Sequence, residues 1–133
     1  MIDIKIIKIA SDTINEGLKN IFTHKSSMKN KICGDIIEIE IIEKNNKIKS
    51  FRYETKSCIY CNASASILSN KIKLFSINNL KKDFNNFYSI LKENDNDLPI
   101  KYNCFKDLIN KRNIARRDCI TLPFNALLKA LKI

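Results

Sequence analysis

Residues 35–70 read DIIEIEIIEKNNKIKSFRYETKSCIYCNASASILSN, and within them the period of the apolar residues changes. Residues 35–43 alternate isoleucine with acidic side chains, the pattern of a strand with one wet face. Lys44-Asn45-Asn46-Lys47 reads as a turn. Residues 48–55 alternate again, with Ile48, Ser50, Arg52 and Glu54 on one side and Lys49, Phe51, Tyr53 and Thr55 on the other, so the two runs form a hairpin. A third short strand is expected to run into Ser57-Cys58. Beyond it the period is helical: the sequence predicts a helix over residues 63–71, N-capped by Asn62, whose Ala/Ser run lets it lie close against other backbone.

Working outward, Leu80, Phe84, Phe87 and Leu91 recur at helical spacing and predict a helix over 77–92. Residues 93–99 read as a loop and 105–114 as helical. A last helix is expected to begin near Thr121, with Pro123 in its first turn and Leu127, Leu128 and Leu131 as its apolar stripe. Toward the N-terminus, Ile2, Ile6, Ile9, Ala10 and Thr13 fit one helical face, with Gly17 near the helix end, although Ile4 and Ile7 also permit a strand. The only histidine, His24, falls in the polar run THKSSMKNK, read as a solvated loop. Strands first and helices later define an α+β domain spanning 1–133: a small antiparallel sheet of about three strands with helices packed on one face.

No apolar run approaches the ~20 residues of a membrane span, and the Lys/Ile alternation of MIDIKIIKIA is not a secretory h-region. The expected setting is cytoplasmic. There an odd count of five cysteines points to metal or thiol chemistry rather than a disulfide framework. A net charge of +10 raises nucleic-acid binding. The basic residues are nevertheless dispersed, interrupted by acidic ones and not interleaved with aromatics. A generally basic surface, suited to an acidic protein partner, is the better account, with neither nucleic acid nor membrane expected.

Three places carry chemistry. In Cys33-Gly34-Asp35, residues two apart in an extended chain point to the same side, so a thiol and a carboxylate make half of a tetrahedral metal site; alone, the triplet is equally a turn before a strand. Cys58 precedes the first helix of the second half, where unpaired N–H groups favour a thiolate, and Cys61 completes a C-x-x-C. That spacing suits a redox pair or half a zinc site, but a hairpin rather than a βαβ unit precedes it and no second C-x-x-C exists. In Arg116-Arg117-Asp118-Cys119-Ile120-Thr121-Leu122-Pro123-Phe124, Cys119 again precedes a helix, with two arginines beside it. Cys104, in KYNCFKDLI, reads as a small buried residue. Three thiols and one carboxylate would make a four-ligand site if the fold brings Cys33, Asp35, Cys58 and Cys119 to one end of the sheet.

The order C-G-D, then S-C-x-x-x-x-A-S-A-S, then R-x-x-C-x-x-L-P-F resembles the iron–sulfur cluster assembly scaffold family, the NifU N-terminal/IscU/SufU group, from Lys31 to the C-terminus. The resemblance implies a SufE/NifU-like fold and a scaffold rather than an enzyme, with sulfurtransferase activity open. It implies that Cys33, Asp35, Cys58 and Cys119 bind zinc or a nascent [2Fe–2S] cluster, and that Cys119 accepts sulfur from a SufS-like cysteine desulfurase for delivery to iron–sulfur acceptor proteins. Arg116 matches the arginine three residues before the third cysteine in the SufU-like branch. That branch is also favoured by Asp118, where IscU types carry histidine, by Arg112-Asn113-Ile114-Ala115-Arg116 in place of L-P-P-V-K, and by the long interval from Cys58 to Cys119. Ser57 replaces the family's usual glycine, and Cys61 is an extra thiol, read first as inert. Two other readings stay open from the residues: a structural zinc-binding interaction module, and a thiol redox protein using Cys58 and Cys61.

Overall fold

The computed structural model describes residues 4–31, 34–93, 100–108 and 116–133. Along the chain lie α1 (Ile4–Ala10), β1 (His24–Lys29), β2 (Ile36–Lys44), β3 (Lys47–Lys56), α2 (Ile59–Asn70), a 3-10 turn (Ile72–Leu74), α3 (Ile77–Glu93), a second 3-10 segment (Ile100–Phe105) and α4 (Arg117–Leu131). The strands form one antiparallel sheet in the order β1-β2-β3. No helix among the described residues is long and apolar enough to cross a membrane.

The expected hairpin is present, turning through Asn45 and Asn46, both at positive φ (55° and 61°), where asparagine is tolerated. Its alternation is interrupted: Ile42 pairs with Ser50 but Glu43 with Ile48, so Lys49 is an extra residue in β3. The bulge carries Ile48 to the face that holds Phe51 and Tyr53, and all three are buried. Strict alternation would have placed Ile48 opposite them.

The third strand is not at Ser57-Cys58, which is irregular backbone, but at His24–Lys29, where a polar loop is expected from sequence. β1 pairs Ser26 with Ile39 and Met28 with Ile37. It lacks the apolar signature because its inward positions are His24, Ser26 and Met28. The Ser26 hydroxyl donates to the Ala126 carbonyl, tying this strand to α4.

The helices cover the face bearing Ile37, Ile39, Ile41, Phe51 and Tyr53. Leu80, Phe84, Phe87 and Leu91 of α3 are all buried, as their spacing predicts. Phe124 of α4 meets Phe84 edge-on at 4.4 Å between centroids, and Phe105 packs 5.3 Å from it, anchoring the 3-10 segment to the same cluster. The helix expected over 105–114 is not found at its start: Phe105 closes the 3-10 segment, residues 106–108 are a turn, and the remainder lies outside the described residues, as do residues 94–99 of the expected loop. Ala63, Ser64, Ala65 and Ser66 of α2 are buried, and the Ser64 hydroxyl donates to the Ile120 carbonyl, so the small-residue run does bring α2 against α4.

The N-terminal helix ends at Ala10, well before Gly17. The backbone after it is held by the sheet instead. Tyr53 exchanges backbone hydrogen bonds with Asn15 and Gly17. Arg52 donates to the Glu16 and Gly17 carbonyls, and Glu40 accepts from the Lys19 and Asn20 N–H groups at 2.9 and 3.0 Å. These residues lie over the sheet face opposite the helices and bury Glu40, a carboxylate satisfied by two backbone donors.

Candidate metal centre

Three element ends meet beside one pole of the sheet. The first is the turn between β1 and β2. Asn30 N–H donates to the Asp35 carbonyl and Gly34 N–H to the Asn30 carbonyl, and Gly34 sits at φ +75°, a conformation favouring glycine. The turn itself is what favours glycine at position 34. Asp35 is 5% exposed. Cys33 lies outside the described residues.

The second end is the start of α2. The helix begins at Ile59 with Cys58 as its N-cap, at φ −69° and ψ 166°. Asn62, the N-cap expected from sequence, lies inside the first turn and sends its amide back to the Ser57 and Cys58 carbonyls at 3.4 and 3.3 Å. Cys58 makes no side-chain cap of its own, and its backbone N–H donates to Asp35 Oδ1 at 3.1 Å. A carboxylate from the other loop thus receives the helix entrance.

The third end is the start of α4. This helix begins at Arg117, earlier than expected, so Cys119 lies in its first turn rather than ahead of it and Pro123 is an interior residue. Asp118 in the first turn suits the positive end of the dipole. Pro123 removes the N–H that would close on the Cys119 carbonyl. The Thr121 hydroxyl donates to the Arg117 carbonyl at 2.9 Å.

Carboxylate and thiol donor atoms of Asp35, Cys58 and Cys119 all lie within 4.8 Å of one another. Cys119 is 1% exposed, while Cys58 is half-buried. Asp35 Oδ2 is buried and has no hydrogen-bond partner among the described residues. Buried polar atoms are rarely left so, because desolvation without a partner is costly. An oxygen in that condition beside two sulfurs fits a cation: two soft thiolates and a carboxylate are a donor set for zinc or iron.

Cys61 does not join the group among the described residues. It is fully buried, and burial, the largest of several influences, pushes its thiol up to about 12, away from the thiolate needed for exchange. Burial also raises Cys104, which sits half-buried on the 3-10 segment apart from the centre. His24, the first residue of β1, contacts the Thr23 hydroxyl and is not in the group. At the rim, the exposed Arg116 guanidinium lies 5.8 Å from the centroid of Tyr60, a residue that nothing in its sequence context singles out.

A family model described as the NifU-like N-terminal domain matches residues 3–94, a span containing Asp35 and Cys58 but not Cys119. The chain belongs to this family, that of the iron–sulfur cluster assembly scaffolds. A protein of Borreliella burgdorferi described as uncharacterized is 32% identical over 133 residues, 97% of this chain and 86% of its own length. Among solved structures, the N-terminal part of a nitrogen-fixing NifU-like protein from Brucella abortus superposes with a TM-score of 0.86 at 20% identity, over 98% of this chain and 91% of that one. A putative iron–sulfur cluster assembly scaffold protein for the SUF system from Fervidobacterium islandicum superposes at 0.75 and 21% identity, over 98% and 96%. The α+β architecture expected from sequence is the one these neighbours share.

Proposed function

We propose that the chain, as one domain over 1–133, is a SufU-like cytoplasmic scaffold or sulfur-transfer protein. It takes sulfur from a cysteine desulfurase and holds zinc, or a nascent [2Fe–2S] cluster as cargo, on Cys33, Asp35, Cys58 and Cys119. The observation that carries this is the buried, unpartnered Oδ2 of Asp35 in a group whose donor atoms lie within 4.8 Å. A bound cation keeps coordinating thiols deprotonated and compensates the buried carboxylate.

Cys119 is the sulfur acceptor in this reading. Its thiolate attacks the outer sulfur of the desulfurase persulfide; the S–S bond there breaks, the desulfurase cysteine leaves as thiolate, and Cys119 carries the persulfide. At 1% exposure Cys119 cannot meet that sulfur without the packing over it opening, so acceptance is coupled to local movement at the α4 start. Arg116, exposed at the rim, supplies positive charge where the thiolate and persulfide exchange. Asp35 is the harder, weaker ligand of the set, suited to cargo that must leave. In this reading the cargo then passes to iron–sulfur acceptor proteins. The buried Cys61 thiol argues against a Cys58/Cys61 redox pair.

The test is to add the protein to a cysteine desulfurase with cysteine and locate sulfane sulfur by mass spectrometry. Turnover should rise, with the extra sulfur on Cys119 and both effects absent in Cys119→Ser. Unchanged turnover and no sulfur on the chain would leave a metal-binding module without sulfur chemistry.

A further inference from the structure

Asn30 directly follows β1, which ends at Lys29, and opens the connection to Asp35. Its backbone is committed to that turn, donating to Asp35 and accepting from Gly34 at 2.8 and 2.7 Å. Its side chain reaches beyond the turn to α4. The amide is buried, at 8% exposure for the residue, and Nδ2 faces Cys119 Sγ at 4.0 Å, across 89 positions of sequence. A buried primary amide has two donors to place and is not retained in an apolar setting without reason. An aliphatic side chain of similar shape would fill the volume as well.

We infer that Asn30 is a positioning residue for the centre, donating an amide N–H to the Cys119 sulfur while its backbone holds the Asp35 turn. One side chain thereby fixes the distance between the carboxylate loop and the first turn of α4. The donated hydrogen bond draws electron density from sulfur, so Cys119 is a weaker electron donor to a bound cation than Cys58, and its orientation is set from outside the ligand shell. This gives two like ligands different character: Cys58 is aligned by its own backbone, through Asp35, and Cys119 through its sulfur. The inference rests on the metal-centre reading above and goes beyond it by assigning a residue outside the ligand set.

Cobalt(II) tests it, because sulfur-to-cobalt charge-transfer bands report sulfur donor strength while ligand-field bands report coordination number. The variants are Asn30→Leu, which keeps the shape, and Asn30→Ala, which keeps the backbone bonds. Each is prepared in wild-type and Cys119→Ala backgrounds with circular dichroism to monitor folding. In the wild-type background both should retain tetrahedral ligand-field bands, move the charge-transfer band to longer wavelength and weaken cobalt binding about 10–100-fold. In the Cys119→Ala background, loaded with excess cobalt because that variant is expected to lose its metal on purification, neither should move the band of the remaining thiolates. A band that stays in place, the same shift without Cys119, or loss of fold in both variants would overturn the assignment and leave Asn30 a packing residue. A wild-type protein with no charge-transfer band at all would instead sink the metal-centre reading, and this inference with it.

Discussion

Replacing Asp35 by asparagine separates what this residue does for the fold from what it does for a cation. Asp35 is 5% exposed; Oδ1 accepts the Cys58 N–H, and Oδ2 is buried without a partner among the described residues. Asparagine keeps an acceptor for Cys58, removes the charge and replaces the orphan acceptor with an NH2 group that the neighbouring Cys58 and Cys119 sulfurs can accept from. Relief of a buried unsatisfied polar atom is worth about 1–3 kcal/mol. At roughly 4 °C per kcal/mol for a chain of this size, the metal-free variant should melt about 4–12 °C above metal-free wild type. Zinc narrows that gap by about 9 °C, inverting the order over most of the range. At a free concentration of 100 times its Kd, a ligand stabilises the wild type by about 2.7 kcal/mol, or roughly 11 °C. If the neutral amide weakens binding about 100-fold, the same zinc adds only about 0.4 kcal/mol, roughly 2 °C. The assay is a thermal melt of both proteins with chelator and with buffered zinc. A variant that melts below wild type without metal, and still gains the full zinc increment, would refute the reasoning. Asp35 would then be a structural carboxylate that caps the α2 entrance.

Other outcomes follow from the same geometry. Burial raises both Cys61 and Tyr53 to about 12, Tyr53 also feeling Glu16. Both are neutral when protonated, and the unfolded chain releases these protons first. Stability of the metal-free protein should therefore be intact below about pH 9 and fall progressively toward pH 12, and Cys61→Ala should flatten the lower part of that fall in denaturant titrations. Phe124→Ala removes a ring packed against Phe84, Phe87 and Phe105, so it should cost about 3–5 kcal/mol in urea unfolding, with zinc stoichiometry unchanged in the folded fraction. Glu40→Leu strands the Lys19 and Asn20 N–H groups and should lose about 1–3 kcal/mol, with faster hydrogen exchange confined to residues 15–20 and no change at the metal centre.

The parts of the fold visible in the sequence are those stabilised by their own periodicity. The isoleucine alternation of β2 and the 80/84/87/91 stripe of α3 each record a single buried face, so each is legible alone. β1 was hidden because its inward residues are small or polar and its place is fixed by partners far away, Ile37 and Ile39 on β2 and Ala126 on α4. The Lys49 bulge was hidden for the same reason: register belongs to a pair of strands. α2 begins four residues earlier than Asn62 suggests because a carboxylate from another loop, not a local side chain, receives its entrance. At the site, ligand types were legible as residues with distinctive chemistry at helix and strand ends. Asn30 was not, since an asparagine before a turn has a sufficient local explanation and its sulfur partner lies 89 positions away.

Donors from three distant places are proposed to make one cation site. Metal and acid-labile sulfide should be measured on anaerobically purified protein, wild type beside Cys33→Ser, Cys58→Ser, Cys61→Ser and Cys119→Ser. Bound metal is expected in wild type and in Cys61→Ser, and its loss in the other three. Retention of metal by folded Cys58→Ser and Cys119→Ser would contradict it.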